Sequence, residues 1–563
     1  MPVRSDRRTR VPRVASLAGV MGCLVVGLGT GPRATADAAP YAISGYWMFG
    51  RAAAGEWAAS LDRLQQLGGD TVVQFGPQLS PVGPDQRAAL GQDPAWRVGS
   101  ESLVAATEAE MRARYPRCAL RRLFTLETGE DFGARLLVRS DLDRRYETPQ
   151  GPLWRLVLPA ADPSDRAAGF AEAAEYDVVL VRGRAFDSVA DLLAVAAKRQ
   201  MRVFLGLPAA PPDPQYPWDP WVAMLPDVLE VSRRVSEDYA VRYGDLPAFA
   251  GVYLSNETPV SAHPLEAVLT TYRQQTKVVR EALPGKSILV SPYWDARLAG
   301  GFDGSRPEDI REGIRQIGRC GVDLIAPQDG RGVGKVGLSW PHQASDRVDP
   351  RVVSAAGNTT NAAAYRANTR EYYAAARQGV ADLAQEGLQV ELWGNLEAFE
   401  PGPGVPCGSF TDIQRTTKER LDRAVMFAGL APTKLISFMW DSLYTDAAGR
   451  PQPLADEIAA DWRRPLVVDA RLEDRDGRRG VQVAGYNLSG GEALFAWQVG
   501  DTHFSVRVPG DAAETATPSA THPLPPRLQT FWVPFDPPAQ RVEVYVDAFG
   551  GQSTHAFSLE PLP

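Results

Sequence analysis

Cysteine and histidine are scarce, with four Cys and five His in 563 residues. Cys23 falls in an N-terminal segment that reads as removed on export, which leaves Cys118, Cys320 and Cys407. An odd, widely spaced set forms one bridge at most and is no disulfide framework. His263, His342, His503, His522 and His555 show no H-x-x-x-H spacing and the cysteines no C-x-x-C spacing, so no metal centre or other cofactor is expected. Any catalysis is then expected to run on carboxylates. Positive charge is also in short supply: the formal net charge is -8, and residues 1–36 hold six Arg against one Asp, so the remainder carries about -13. Such a body offers no basic face to a nucleic-acid backbone or an anionic bilayer, and a neutral or small partner is expected. Beyond the N-terminus no apolar run approaches a membrane-spanning length, so no membrane span is expected in the mature chain. A phosphate-binding G-x-x-x-x-G-K-[ST] loop and internal repeats are missing too. The Gly-rich piece 330–337, with Arg331 and Lys335, therefore reads as a flexible lid loop.

What is present is enough apolar sequence, 44% of the chain, to bury a large core across two to four domains. Arg4, Arg7, Arg8, Arg10 and Arg13 precede an apolar run from Val14 to Leu28, and Ala34-Thr35-Ala36 offers an A-x-A cleavage site. Residues 1–36 read as a signal peptide and the mature protein as secreted or extracytoplasmic. Short apolar runs then alternate with amphipathic stretches, the pattern of a parallel sheet wrapped by helices. Strands are expected at 43–49, 71–76, 202–207, 250–256, 287–293, 322–327, 389–396 and 435–440, and eight such units suggest an α/β fold closed as a (β/α)8 TIM barrel over 37–464. Between them, Trp57, Leu61 and Leu64 place an apolar stripe on a helix, as do Ile310, Ile314 and Ile317 before Gly318, and Val380 and Leu383 before Gly387. A ninth run at 177–182 competes with 71–76 for a place in the barrel. It lies within 77–201, where 136–138 and 154–158 also look like strands, and that stretch reads as an elaboration after the second strand. From 465 to 563 the period changes to two, with seven short strands that imply an antiparallel β-sandwich.

In a barrel of this kind the active site stands at the C-terminal ends of the strands. Glu257 ends the fourth expected strand and Glu397 the seventh. Alternation along a strand puts Tyr253, Ser255 and Glu257 on one face and Trp393, Asn395 and Glu397 on one face, so both polar series can point to the mouth. Two carboxyls about 5 to 5.5 Å apart allow one to act as nucleophile and the other as acid/base in glycoside cleavage. Asn256 and Asn395 are candidates for sugar hydroxyls. Asp329 and Asp441 follow the sixth and eighth strands and either bind hydroxyls, serve as the base of an inverting enzyme, or brace a turn. Trp47, Tyr293, Trp294, Trp393 and Trp440 fall at or beside strand ends, where flat rings can pack on sugar faces. About two of the five are expected in the core, with Trp47 and Trp440 the stronger candidates for the site.

The Asn256-Glu257 pair at the fourth strand and the glutamate at the seventh resemble the pattern of clan A glycoside hydrolases. That resemblance implies that Glu257 is the acid/base and Glu397 the nucleophile. The runs Phe249–Glu257, Ser291–Tyr293, Ala326–Gly330 and Trp393–Glu397, taken in this order, are similar to an uncharacterised glycosidase-like barrel family of bacterial secreted proteins, over residues 43 to 445. Two departures are plain: the second strand ends in Gln74-Phe75-Gly76 where clan A enzymes carry an arginine, and Glu257 is followed by Thr258-Pro259. The expected function is an exported glycoside hydrolase with a carbohydrate substrate. The alternative is a carbohydrate-binding or exopolysaccharide-assembly protein that uses the same mouth without turnover.

Overall fold

Eight apolar runs pair edge to edge, all parallel, into one closed barrel in this computed structural model, which describes residues 39–132, 137–164, 175–217, 219–262, 265–298, 302–402, 413–517, 524–538 and 541–559. The export segment expected over 1–36 and Cys407 lie outside the described residues; Cys118 and Cys320 are not joined in a disulfide. The barrel strands are β1 (Gly45–Met48), β2 (Thr71–Gln74), β3 (Arg202–Gly206), β4 (Phe249–Leu254), β5 (Ser287–Val290), β6 (Leu324–Ile325), β7 (Glu391–Glu397) and β8 (Lys434–Phe438). They neighbour one another in chain order, and β8 closes onto β1. The run 177–182 pairs in another sheet, so it, and not 71–76, stands outside the barrel. Inward-facing Trp47, Val73, Phe204, Tyr253, Leu289, Leu324, Trp393 and Ile436 form one buried cluster. The barrel is thus packed solid, and its functional surface is the rim.

Helices α1 (Glu56–Gln66), α2 (Ser188–Lys198), α3 (Leu225–Tyr243), α4 (Glu266–Ala282), α5 (Pro307–Gly318), α6 (Thr369–Gln385), α7 (Lys418–Ala428) and α8 (Leu454–Asp461) follow the eight strands in turn. The stripes Trp57, Leu61, Leu64 on α1 and Ile310, Ile314, Ile317 on α5 are buried, as their spacing requires. Gly387, at φ +83°, turns the chain after α6 in a conformation that costs a glycine nothing.

Between β2 and α2 the chain forms a five-stranded sheet in the order 80–81, 119–127, 175–182, 151–159 and 144–148, over an apolar cluster that includes Trp96, Leu123, Leu153 and Val178. Residues 154–158 join it as expected, whereas Leu137 and Val138 lie in no strand and Leu136 is outside the described residues. The sheet is tied to α3 by buried charges. Glu130 accepts from the Tyr239 hydroxyl at 2.7 Å and faces Arg242 at 3.4 Å, Arg234 reaches Asp143 at 3.0 Å, and Arg122 reaches Asp227 at 3.2 Å. Burial pushes Glu130 up to about 8. Removing one partner of such a pair costs about 3–5 kcal/mol, because the other charge is left buried and unmatched.

Residues 466–559 form two antiparallel sheets, one of 466–475, 478–486, 529–533 and 514–515, the other of 502–509, 492–499, 542–548, 551–552 and 557–559. Phe531 and Trp532 belong to their core, while Trp497 stacks on the exposed Phe504. Arg370 of α6 pairs with Asp469 at 2.6 Å, and Trp340 sets an edge against Phe557, fastening these sheets to the barrel.

Candidate active site

Pairing continues past the formal ends of the strands, and this is what carries polar residues to the rim. Ala326 donates to Val290 at 2.9 Å and Gln328 to Pro292 at 2.8 Å, so 326–329 runs as an extension of β6 between Tyr293 and Asn395. Tyr293 in turn donates to the Thr258 carbonyl at 3.1 Å, and Val260 to the Tyr293 carbonyl at 2.9 Å. Thr258-Pro259, one of the departures noted in the sequence, is therefore the extension of β4 that holds Glu257 in register with β5. The Glu257 side chain opens to the solvent of the mouth but stands in a well crowded by protein atoms. Partial loss of hydration pushes its carboxyl up to about 7, offset in part by the Gln328 amide and by Lys335.

Glu397, the last residue of β7, is only 3% exposed. Its side chain accepts from the Gly332 amide, and the Arg331 guanidinium donates to its backbone carbonyl. Asp329, wholly buried, accepts from the Glu397 amide at 3.4 Å and the Arg331 amide at 3.2 Å. Burial and then repulsion from Asp329 push Glu397 up to about 8, and burial raises Asp329 as well. Two carboxyls this close resist ionising together, which adds to the effect of burial in raising them. Gly332 admits this roof by lacking a side chain: a Cβ there would lie 2.7 Å from Phe399 and 2.8 Å from Glu397 Oε2. The piece 330–337 is a packed turn rather than a flexible lid, since Lys335 donates to the Gly330 carbonyl at 2.8 Å, its own carbonyl accepts from Ala296, and Arg331 is buried. The Lys335 ammonium rests 3.6 Å from the centre of the Tyr293 ring and feels both Glu397 and Glu257.

The other candidates divide sharply. Tyr293 is at the site, partly exposed, its hydroxyl pushed up to about 12 chiefly by burial. Trp47 is buried inside the barrel against Phe75 and Tyr253, and Trp440 is buried against Tyr46 and Tyr444, so neither offers a ring to a ligand. Trp294 is buried against Tyr372 and Tyr373. Large rings at strand ends fill the barrel and its wall because that is where the most area can be removed from water. Asn256 spends both side-chain groups on the Ala210 backbone at 3.3 and 3.5 Å. Asn395 is buried and donates to Ser291 Oγ at 3.0 Å. Asp329 is beneath the surface beside Glu397. Asp441 braces the chain after β1, accepting from the Phe49 amide at 2.7 Å and pairing with Arg51 at 2.6 Å. All four are engaged by neighbouring protein groups, with Asn395 Oδ1 and Asp329 Oδ2 left without a hydrogen-bond partner.

Residues that sequence reasoning missed stand in their place. Gln328 sits between the two glutamates' strands, and Lys335, which no phosphate-loop pattern marks, reaches the site from the turn after β6. Phe49, 47% exposed, lies 4.7 Å from Phe75, which meets Phe438 at 5.7 Å, which meets Phe399 at 5.8 Å, giving a row of rings across the mouth. The parity of these residues with Trp47 and Ile436 was the available signal. At the β1–β3 end of the row, a cavity of about 680 Å³ is lined by Phe49, Phe75 and Gly206 of the barrel and by Glu130, Arg182 and Phe186 from the second sheet's loops. Among the described residues no group of three or more His, Cys, Asp or Glu is placed to hold a metal ion, and no helix is long and apolar enough to cross a membrane.

A family model described as Domain of unknown function (DUF4434) matches residues 166–449, half of the chain. No curated protein matches it. Among solved structures, the endo-β-1,4-mannanase of Thermotoga petrophila aligns at 10% identity and a TM-score of 0.36 over 93% of this chain and 98% of that one. A glycoside hydrolase family 5 protein of Bacteroides vulgatus aligns at 9% identity and 0.36 over 88% and 89%. The catalytic domain of the major endoglucanase of Xanthomonas campestris pv. campestris aligns at 12% identity and 0.30 over 74% and 88%. These overlaps are too loose to bear on what this chain does.

Proposed function

We propose that this chain, which belongs to the DUF4434 family of domains of unknown function, is an exported glycoside hydrolase that cleaves a poly- or oligosaccharide by a retaining two-glutamate mechanism. The observation that carries the reading is a pair of glutamates at the ends of β4 and β7 of one closed barrel, both with carboxyls raised toward neutrality and both within the field of Lys335. Glu257, open to the mouth and half protonated near pH 7, is suited to give its proton to the leaving glycosidic oxygen and then to take one from the incoming water. Glu397 attacks the anomeric carbon in its ionised form. The Gly332 amide, Arg331 and Lys335 favour that ionised form. Attack requires the 330–335 turn to lift from Glu397, which it covers. The row Phe49–Phe75–Phe438 offers the apolar floor on which sugar rings pack. In this reading residues 1–36 direct export, 37–464 carry the site, 77–201 elaborate the barrel, and 465–563 cap it as a β-sandwich.

A second reading, carbohydrate binding without turnover, is favoured by one observation: Glu397 is roofed by Gly332. Reducing-end release from a panel of bacterial and plant polysaccharides, with Glu257→Gln and Glu397→Gln alongside, decides between them. Release by the parent that is lost in both variants supports the hydrolase. No release, with glycan still retained on an affinity gel, supports binding alone.

A further inference from the structure

A second cavity, of about 480 Å³, opens between the segment after β6, the first turn of α7 and His555 of the C-terminal sheets. Five arginines line it: Arg331, Arg347, Arg351, Arg420 and Arg423. Two of the five are matched in charge, because Arg351 and Arg420 share Asp349 at 3.1 and 2.8 Å and Glu400 at 3.5 and 2.7 Å. Arg347 donates to the Asn358 carbonyl at 2.9 Å. The remaining two lack, in one case, an ion pair and, in the other, hydrogen-bond acceptors. Arg423 donates to the Leu338 carbonyl at 2.7 Å and to Gln343 Oε1 at 3.2 Å, both neutral, and makes no ion pair among the described residues. Arg331 is 5% exposed; one of its nitrogens donates to the Glu397 carbonyl, while its Nε and Nη1 find no acceptor. Asp329 lies 3.9 Å from Nε, so the charge of Arg331 is met there while these two donors stay unused. The acids Asp346 and Glu419 also line the cavity but are exposed at its edge. Burial first, and then a neighbouring guanidinium, lowers two of them: Arg331 acts on Arg420, and Arg420 on Arg423.

Leaving buried guanidinium donors without acceptors, as at Arg331, and a guanidinium charge without an ion pair, as at Arg423, is expensive unless a partner arrives. We propose that this cavity is a binding site for an oxyanion held by Arg331 and Arg423. A carboxylate or a phosphate presents the paired oxygens that a guanidinium fork matches, and the volume admits a monosaccharide acid. Two sources carry that chemistry, an acidic sugar unit of the glycan and a free inorganic anion. The first rests on the glycosidase reading, since Arg331 joins this cavity to Glu397; the oxyanion site itself does not.

Calorimetric titration of the full chain with glucuronate, inorganic phosphate and glucose at constant ionic strength tests it. Saturable binding of at least one anion and none of glucose is expected, weakened about tenfold or more by Arg423→Gln and by Arg331→Gln. Circular dichroism checks that both variants fold, and Arg423→Gln keeps the test if Arg331→Gln does not. Glucuronate bound more tightly than phosphate, and displaced by it, assigns the site to an acidic sugar; the reverse order assigns it to a free anion. Heat from neither anion, or binding that Arg423→Gln leaves unchanged, overturns the proposal. Because the readout is binding, an absence of glycan cleavage refutes the proposed function without touching this site.

Discussion

On the β4–β7 side of the rim the side chains are polar and gathered about Lys335: Glu257 open to the mouth with Gln328 beside it, and Asp329 and Glu397 covered by a packed turn. On the β1–β3 side the rim is aromatic and open, a cavity of about 680 Å³ with Phe49 at its edge. The difference follows from what each task needs. Shifting carboxyls toward neutrality requires excluding water and setting like charges together, whereas holding a neutral chain requires area. One side is therefore suited to chemistry and the other to grip.

The largest effect that would sharpen this contrast is on rate. Glu257→Gln is expected to lower kcat/KM by about 10²–10⁴-fold, and the parent's kcat/KM to fall above about pH 7 as Glu257 loses its proton. A Glu257→Gln variant that keeps the parent rate would break the assignment. Next, Gly332→Ala places a methyl group against Phe399 and Glu397 and is expected to cost about 1–3 kcal/mol in urea unfolding; an unchanged midpoint would mean that the turn is not tightly seated. Smaller is a pH effect on stability. Glu397 is raised to about 8 in the folded chain against about 4.3 when unfolded. The folded state thus holds more protons in that window, and stability falls as pH rises through it. Glu397→Gln removes this loss, so its unfolding free energy should match the parent at pH 4 and exceed it by about 1 kcal/mol or more at pH 9. The smallest effect belongs to the open side: Phe49→Ala is expected to raise KM by about threefold to tenfold through lost ring stacking, with stability within about 0.5 kcal/mol of the parent. A fall in kcat as large as that of Glu257→Gln would erase the distinction between the two sides.

The barrel was legible because β-strands of a parallel sheet are continuous apolar runs, and all eight runs read from the chain pair in the order read. Glu257 and Glu397 were legible for the same reason, as the first acids past strand ends of known parity. The aromatic residues were not. Trp47, Trp294 and Trp440 sit at strand ends like Tyr293, and only packing decides that three are buried and one is exposed. Lys335 and Gly332 escaped because their place depends on a turn that folds back over β7, a contact between residues more than sixty positions apart. Asp441 looked like a ligand until its partners, Phe49 and Arg51, were seen to lie almost four hundred residues earlier.

The open cavity takes its walls from the barrel and from the second sheet, one face of which shares an apolar cluster with the outer side of the barrel strands. Substitutions at its exposed wall positions, Gln150, Arg184 and Ala185, can therefore reshape the wide side, whereas Glu130 is held to α3. The freedom to vary this cavity without unfolding the chain is thus confined to a few exposed wall positions.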